Sequence, residues 1–173
     1  MRKPMIAAVS GVKNSGKTTL LTKLIPALSQ RGLCTAVVKH DGHSFDADRE
    51  GRDTCRLFEA GAFGTAIFDG EKFQVVKRSV TTAEELIAFF PEADLILPEG
   101  FKESPLPKVE IVRGGNSKQS VCDPKTLLAL ITDTELQIPG VPSFGLEAIE
   151  ELADLFAEEV KKKSREETAG AER

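Results

Sequence analysis

The stretch Gly11-Val12-Lys13-Asn14-Ser15-Gly16-Lys17-Thr18 fits G-x-x-x-x-G-K-[ST] at every fixed position. It constrains the fold because such a loop works only between a buried strand and a helix. "MIAAVS" (residues 5–10) precedes it as a short apolar run. Leu20, Leu21, Leu24, Ile25 and Leu28 follow at helical spacing, with Gly32 just beyond as a stop. Pro26 inside this pattern argues against a straight helix. "LCTAVVKHD" is a second apolar run, so the first forty residues read strand, glycine loop, helix, strand.

In such a loop, successive backbone N–H groups turn inward on a phosphate, and the helix adds its N-terminal amides and dipole. Gly11, Lys13, Asn14, Ser15, Gly16 and Thr19 are therefore candidate binding residues. Lys17 has the reach for the β- and γ-phosphates, and the Thr18 hydroxyl can ligate Mg²⁺. The implied ligand is a nucleoside triphosphate with Mg²⁺.

The rest of the chain alternates. Residues 49–60 read as a helix closed by Gly61. "FGTAIFDGEKFQVVKR" holds two alternating runs around Asp69-Gly70, a hairpin signal. "TTAEELIAFF" reads as a helix with Glu84 and Glu85 in its first turn. "ADLILPEG", "KVEIVR" and "LLALITD" are three further strands, and Phe144 to Val160 a final amphipathic helix. The expected fold is α/β, a P-loop NTPase three-layer α/β/α domain with a mostly parallel sheet and an antiparallel hairpin insertion. It is expected to span residues 1–160 as one domain. Residues 161–173 have no apolar face and are expected to be a disordered charged tail.

A phosphate loop works with a second acidic group that orients metal and water. Glu99 and Asp94 flank one strand, and the carboxyl end of a parallel strand is where the ligand crevice lies. Glu99 is thus a metal candidate with Thr18 and Asp46, and a catalytic candidate with Lys17. "KHDGHSFDAD" follows the second strand at its own crevice end. Asp41, Asp46 and Asp48 offer hard oxygens that suit Mg²⁺. His40 and His43 could ligate a transition metal but make an incomplete set. Arg49, Arg52 and Arg56 fall on one helical stripe, readable as a phosphate-binding set or as a solvated face paired with Asp48, Glu50 and Asp53. Thr132-Asp133 ends the fifth strand, where a carboxylate could accept from guanine. That spot alone does not decide guanine over adenine.

Composition narrows the classes. With 23 Lys plus Arg against 27 Asp plus Glu, the chain lacks the basic surface of a nucleic-acid binder. No apolar run approaches the ~18 residues of a membrane helix. Three scattered cysteines with no CxxC fit a reducing cytoplasm.

"SGVKNSGKTTLLTKLIPAL", "VVKHDGHSFDAD", "GRDTCRLFEAGA" and "DLILPEGFK" occur in that order. Together they resemble the MobB family of molybdopterin-guanine dinucleotide biosynthesis adaptor proteins, over roughly residues 5–160 on the strand and helix pattern. The resemblance implies a cytoplasmic GTP-binding homodimer with weak GTPase activity. Such a protein assists the nucleotidyltransferase that joins GMP to molybdopterin, and molybdopterin itself is a possible ligand. Gly16, Lys17 and Thr18 would bind the phosphates and Mg²⁺, Glu99 would sit near the metal, and Asp133 would contact guanine. Where the family often carries two adjacent histidines, this chain has Gly42 before His43. Two other classes compete: a small-molecule kinase closing an Arg-rich lid, and a GTPase metallochaperone built on His40 and His43.

Overall fold

Strands that are apolar along their whole length need cover on both faces of their sheet. In the computed structural model, residues 3–40, 45 and 51–171 are described. They fall into two compact units, one drawn from residues 1–40 and 83–173, the other from residues 41–82. The first unit begins with β1 (Met5–Ile6), β2 (Ala8–Gly11), α1 (Lys17–Gln30) and β3 (Thr35–Lys39). The second holds α2 (Asp53–Glu59), β4 (Gly64–Phe68) and β5 (Phe73–Lys77). The first then resumes with α3 (Ala83–Ile87), β6 (Leu95–Glu99), β7 (Lys108–Val112), β8 (Leu127–Thr132), β9 (Ser143–Phe144) and α4 (Ile149–Ala171).

The large sheet is parallel throughout. β6 lies between β3 on one side and β1 with β2 on the other, and β7, β8 and β9 continue outward from β2. The central strands β2, β6 and β7 are buried end to end. On one face, Leu24 and Leu28 of α1 and Leu152 and Phe156 of α4 pack over Val9, Leu97, Val109 and Ile131. Pro26 stays inside α1, which runs unbroken across it. The opposite face has a smaller cluster of Val38, Ala93 and Ile96, against which Ile87 of α3 packs. The α/β architecture with a mostly parallel sheet is as the sequence predicts.

The hairpin is also where the sequence puts it. β4 and β5 pair antiparallel, with Phe68 opposite Phe73. Asp69 Oδ1 closes the turn by accepting from the Glu71 and Lys72 amides at 2.8 and 2.9 Å, the role a turn Asp takes.

Four boundaries differ from expectation. α2 begins at Asp53, with Gly51 and Arg52 outside the helix expected over 49–60. β9 occupies Ser143–Phe144, where the sequence pattern begins the last helix; two residues are too few for a periodic signal. α3 is confined to Ala83–Ile87, ahead of Pro91, which cannot continue a helix. The last helix does not stop at Val160 but runs to Ala171, so residues 161–171 are helical where a disordered tail is expected. Polar ties carry it there. Lys163 Nζ donates to Pro4 O at 2.7 Å and pairs with Glu167 one turn on at 3.6 Å. No helix among the described residues is long and apolar enough to cross a membrane.

Candidate nucleotide and metal site

The predicted loop leaves β2 at Gly11 and enters α1 at Lys17. Gly11 has φ 141°, and a Cβ there would stand 2.6 Å from Ile111 O and 2.7 Å from Ser15 Oγ. Only glycine fits so close an approach. Asn14 and Gly16 also take positive φ, 62° and 98°, which wraps the loop back on itself. Gly16 stands at the start of α1, where no side chain caps the helix. The first-turn amides at Lys17, Thr18 and Thr19 therefore face an uncapped end, the arrangement that accepts an anion. Ser15 is buried, and its hydroxyl has no hydrogen-bond partner among the described residues.

Lys17 folds over the loop. Its Nζ donates to Val12 O at 2.8 Å and to Gly11 O at 3.3 Å. Burial pushes its ammonium below the ordinary lysine value; the Glu99 carboxylate partly opposes this and Lys39 adds to it. A phosphate oxygen in place of the two carbonyls would restore a full counter-charge.

Glu99 ends β6 and is only 7% exposed. Lys39 on β3 and Val9 on β2 stand opposite it in the register. Its two oxygens accept from the Thr18 hydroxyl at 3.2 and 3.0 Å, and Lys39 Nζ approaches Oε1 at 3.7 Å. The structure thus brings together Lys17, Thr18 and Glu99, three residues the sequence singles out. Lys39 escapes that reading, although it ends β3 at the crevice edge by the same rule that selects Glu99. Asp94 sits at the other end of β6, where Oδ2 accepts from Cys34 N at 2.9 Å.

Beside the loop a cavity of about 110 Å³ is lined by Ser15, Gly16, Thr19, Lys23, Arg113 and Glu147 among others. Lys23 and Glu147 pair across it at 2.6 Å. The turn after β7 is tied to this region twice. Asn116 Nδ2 donates to Lys13 O at 2.7 Å, and Asp133 Oδ1 accepts from Gly114 N at 2.7 Å. Sequence reasoning misses Arg113 and Asn116, because the first only closes an apolar strand and the second lies in a polar glycine loop with nothing local to distinguish it.

Asp41, His43, Asp46, Asp48 and Arg49 lie outside the described residues. His40 is described, and its ring meets Phe101 edge-on at 6.2 Å. Arg52 and Arg56 belong to the second unit, where Arg56 pairs with Asp53 at 3.8 Å on an exposed surface. Among the described residues, no three or more His, Cys, Asp or Glu gather as a metal site.

The groups present suit a nucleotide with its metal. A buried hydroxyl without a partner among the described residues, a loop closed to a Cβ at Gly11, and a hydroxyl–carboxylate pair of hard oxygens are groups that suit phosphate and Mg²⁺. Comparison with known proteins identifies the family. The family MobB, molybdopterin guanine dinucleotide synthesis protein B, matches residues 6–133. The chain belongs to the MobB family. A molybdopterin-guanine dinucleotide biosynthesis adapter protein of Haemophilus influenzae is 34% identical over 137 residues, covering 77% of each chain. One from Escherichia coli is 30% identical over 167 residues, 92% of this chain and 95% of its own. The crystal structure of Bacillus subtilis MobB superposes with a TM-score of 0.69 at 29% identity, over 87% of this chain and 97% of the other.

Proposed function

We propose that this MobB-family chain is a GTP-binding adapter of molybdopterin-guanine dinucleotide biosynthesis. On this reading it binds GTP with Mg²⁺, hydrolyses it slowly, and assists the cytoplasmic nucleotidyltransferase that joins GMP to molybdopterin. The observation that carries the nucleotide half is the Thr18–Glu99 pair at the mouth of a loop that holds Lys17. The adapter half rests on the curated relatives.

On this reading the labour divides as follows, with Asp46 assigned from sequence alone. The amides of the Gly11–Thr19 loop and Lys17 hold the phosphates, and Thr18 and Glu99 hold the metal, with Asp46 as a further oxygen. Mg²⁺ bound there would neutralise charge building up between the β- and γ-phosphates. Asp133 accepts from Gly114 N through Oδ1, which leaves Oδ2 and a further lone pair on Oδ1 for the guanine contact this reading assigns to it. The second unit supports a homodimer: its hairpin exposes Ile67, Phe68, Phe73 and Val75, more apolar surface than two strands keep in water on their own. Arg52 and Arg56 offer guanidinium forks to an anionic client, the pterin phosphate or the transferase.

The test is a titration of GTP against ATP with and without Mg²⁺. The sequence contains neither Trp nor Tyr, so strong absorbance near 260 nm in the protein reports bound nucleotide directly. Tighter binding of GTP that strengthens with Mg²⁺ supports the reading. Equal or absent binding of both nucleotides overturns it.

A further inference from the structure

Parallel strands in one sheet are joined by a crossover of about a dozen residues or more, usually containing a helix. β6 and β7 are joined by residues 100–107, which contain no helix and must pass β2, the strand between them. Something other than helix packing holds this segment against the sheet.

The holder is Lys108. It is fully buried, and its Nζ donates to Phe101 O at 3.2 Å, Lys102 O at 3.2 Å and Ser104 O at 2.5 Å. All three ammonium donors are therefore used, and all on main-chain carbonyls of the crossover. By register, Lys108 and Ser10 face the same side of the sheet, away from α1: Ala8 stands opposite Lys108, and Ser10 opposite Glu110. From that side Ser10 Oγ donates to Gly100 O, and on β2 Val9 O accepts from Gly100 N at 2.9 Å. Gly100 and Phe101 both have positive φ, 106° and 52°. A phenylalanine keeps that conformation only when its surroundings impose it. Here the main chain is held by Lys108, and the ring by His40, which follows Lys39.

This imposed turn begins at the residue after Glu99. We infer that Lys108 is a positioning residue for the metal site: by pinning residues 101–104, with Ser10 pinning Gly100, it fixes where the Glu99 carboxylate sits beside Thr18. The inference rests on the assignment of Glu99 to the metal. Groups that orient a ligand from behind contribute about 10–100-fold to metal affinity or activity.

The test compares Lys108→Met, Ser10→Ala and Glu99→Gln with the parent chain. Three quantities are read: amide exchange across residues 100–104 in the free protein, Mn²⁺ affinity with GTP present by paramagnetic resonance, and GTP affinity without metal. Lys108→Met and Ser10→Ala should speed exchange in the turn and weaken Mn²⁺ by about tenfold, while metal-free GTP affinity stays within about twofold. Should Lys108→Met fail to fold, Ser10→Ala decides alone. Faster exchange with parental Mn²⁺ affinity makes Lys108 a purely structural residue and overturns the inference. So does unchanged exchange. If Glu99→Gln weakens Mn²⁺ and the other two do not, only the inference falls. If Glu99→Gln itself binds Mn²⁺ like the parent, the metal reading of Glu99 fails, and the inference with it.

Discussion

The Thr18 hydroxyl donates to both oxygens of Glu99, at 3.2 and 3.0 Å, across 81 positions of sequence. β2 and β6 make that contact by running parallel with Val9 opposite Glu99. In this geometry one residue from the helix start and one from a strand end present adjacent hard oxygens, the donor type Mg²⁺ selects.

Glu99→Gln keeps the size and one acceptor but removes the charge. GTP should still bind, because Lys17 and the loop amides are untouched. Hydrolysis should slow by about tenfold or more. A single-turnover assay at saturating Mg²⁺ and GTP measures this, and a parental rate would remove Glu99 from the mechanism.

Lys17→Ala should lose triphosphate binding without loss of fold. In the free protein, burial already works against the Lys17 charge, and its hydrogen bonds go only to Val12 O and Gly11 O. Deleting a charge-assisted contact to phosphate costs about 1.5–3 kcal/mol, or about one to two decades in affinity. Calorimetric titration with GTP, paired with a thermal melt, separates the two effects. A large drop in melting temperature would show that the lysine instead supports the loop.

The two loop glycines should respond differently to alanine. At Gly11 the new methyl would meet Ile111 O at 2.6 Å in a backbone with φ 141°, so sterics and conformation both oppose it. At Gly16 nothing lies within 4 Å, and only φ 98° is unfavourable. Gly16→Ala should cost about 1–2 kcal/mol, and Gly11→Ala distinctly more. Chemical denaturation of both variants checks the order, and equal losses would contradict the packing around Ile111.

Much of this site was legible because its signals are local. The glycine spacing, the apolar run before it and the helical repeat after it lie within thirty residues and fix strand, loop and helix together. Glu99 was legible from a topological rule, since it ends an apolar strand on the crevice side. Lys39 obeys the same rule on β3. Lys108 could not be read this way. A lysine that opens a strand reads as solvent-facing, and it is buried only because residues 100–107 fold over it, a consequence of strand order and not of spacing. The engagement of Asp133 with Gly114 is similar: it depends on how β7 turns, which no periodicity encodes. The helical stretch 161–171 was missed because it is held by polar ties to the N-terminus and by pairing within the helix, with no apolar stripe to reveal it.

Cys122 supplies a pH-dependent test of the covered face of the sheet. Burial pushes its thiol up to about 11, from an ordinary value of 9.0, and the nearby Glu110 carboxylate pushes the same way. Glu110 is itself buried and accepts from Ser120 Oγ and from Val121 N at 2.7 Å, so its oxygens are fixed close by. The folded protein therefore holds the thiol proton over a range where the unfolded chain releases it. Because the folded state binds more protons between about 9 and about 11, this group's contribution is intact below 9 and is lost as pH rises through that window. A tenfold difference in proton affinity corresponds to about 1.4 kcal/mol, which bounds the loss at roughly 2–3 kcal/mol. Cys122→Ala should flatten this part of the stability–pH curve, measured by denaturation at pH 8 through 11 against the parent chain. The thiol should also alkylate far more slowly than exposed Cys34 at pH 8. Identical slopes for parent and variant, or labelling of Cys122 as fast as Cys34, would mean that the loop over this face opens freely.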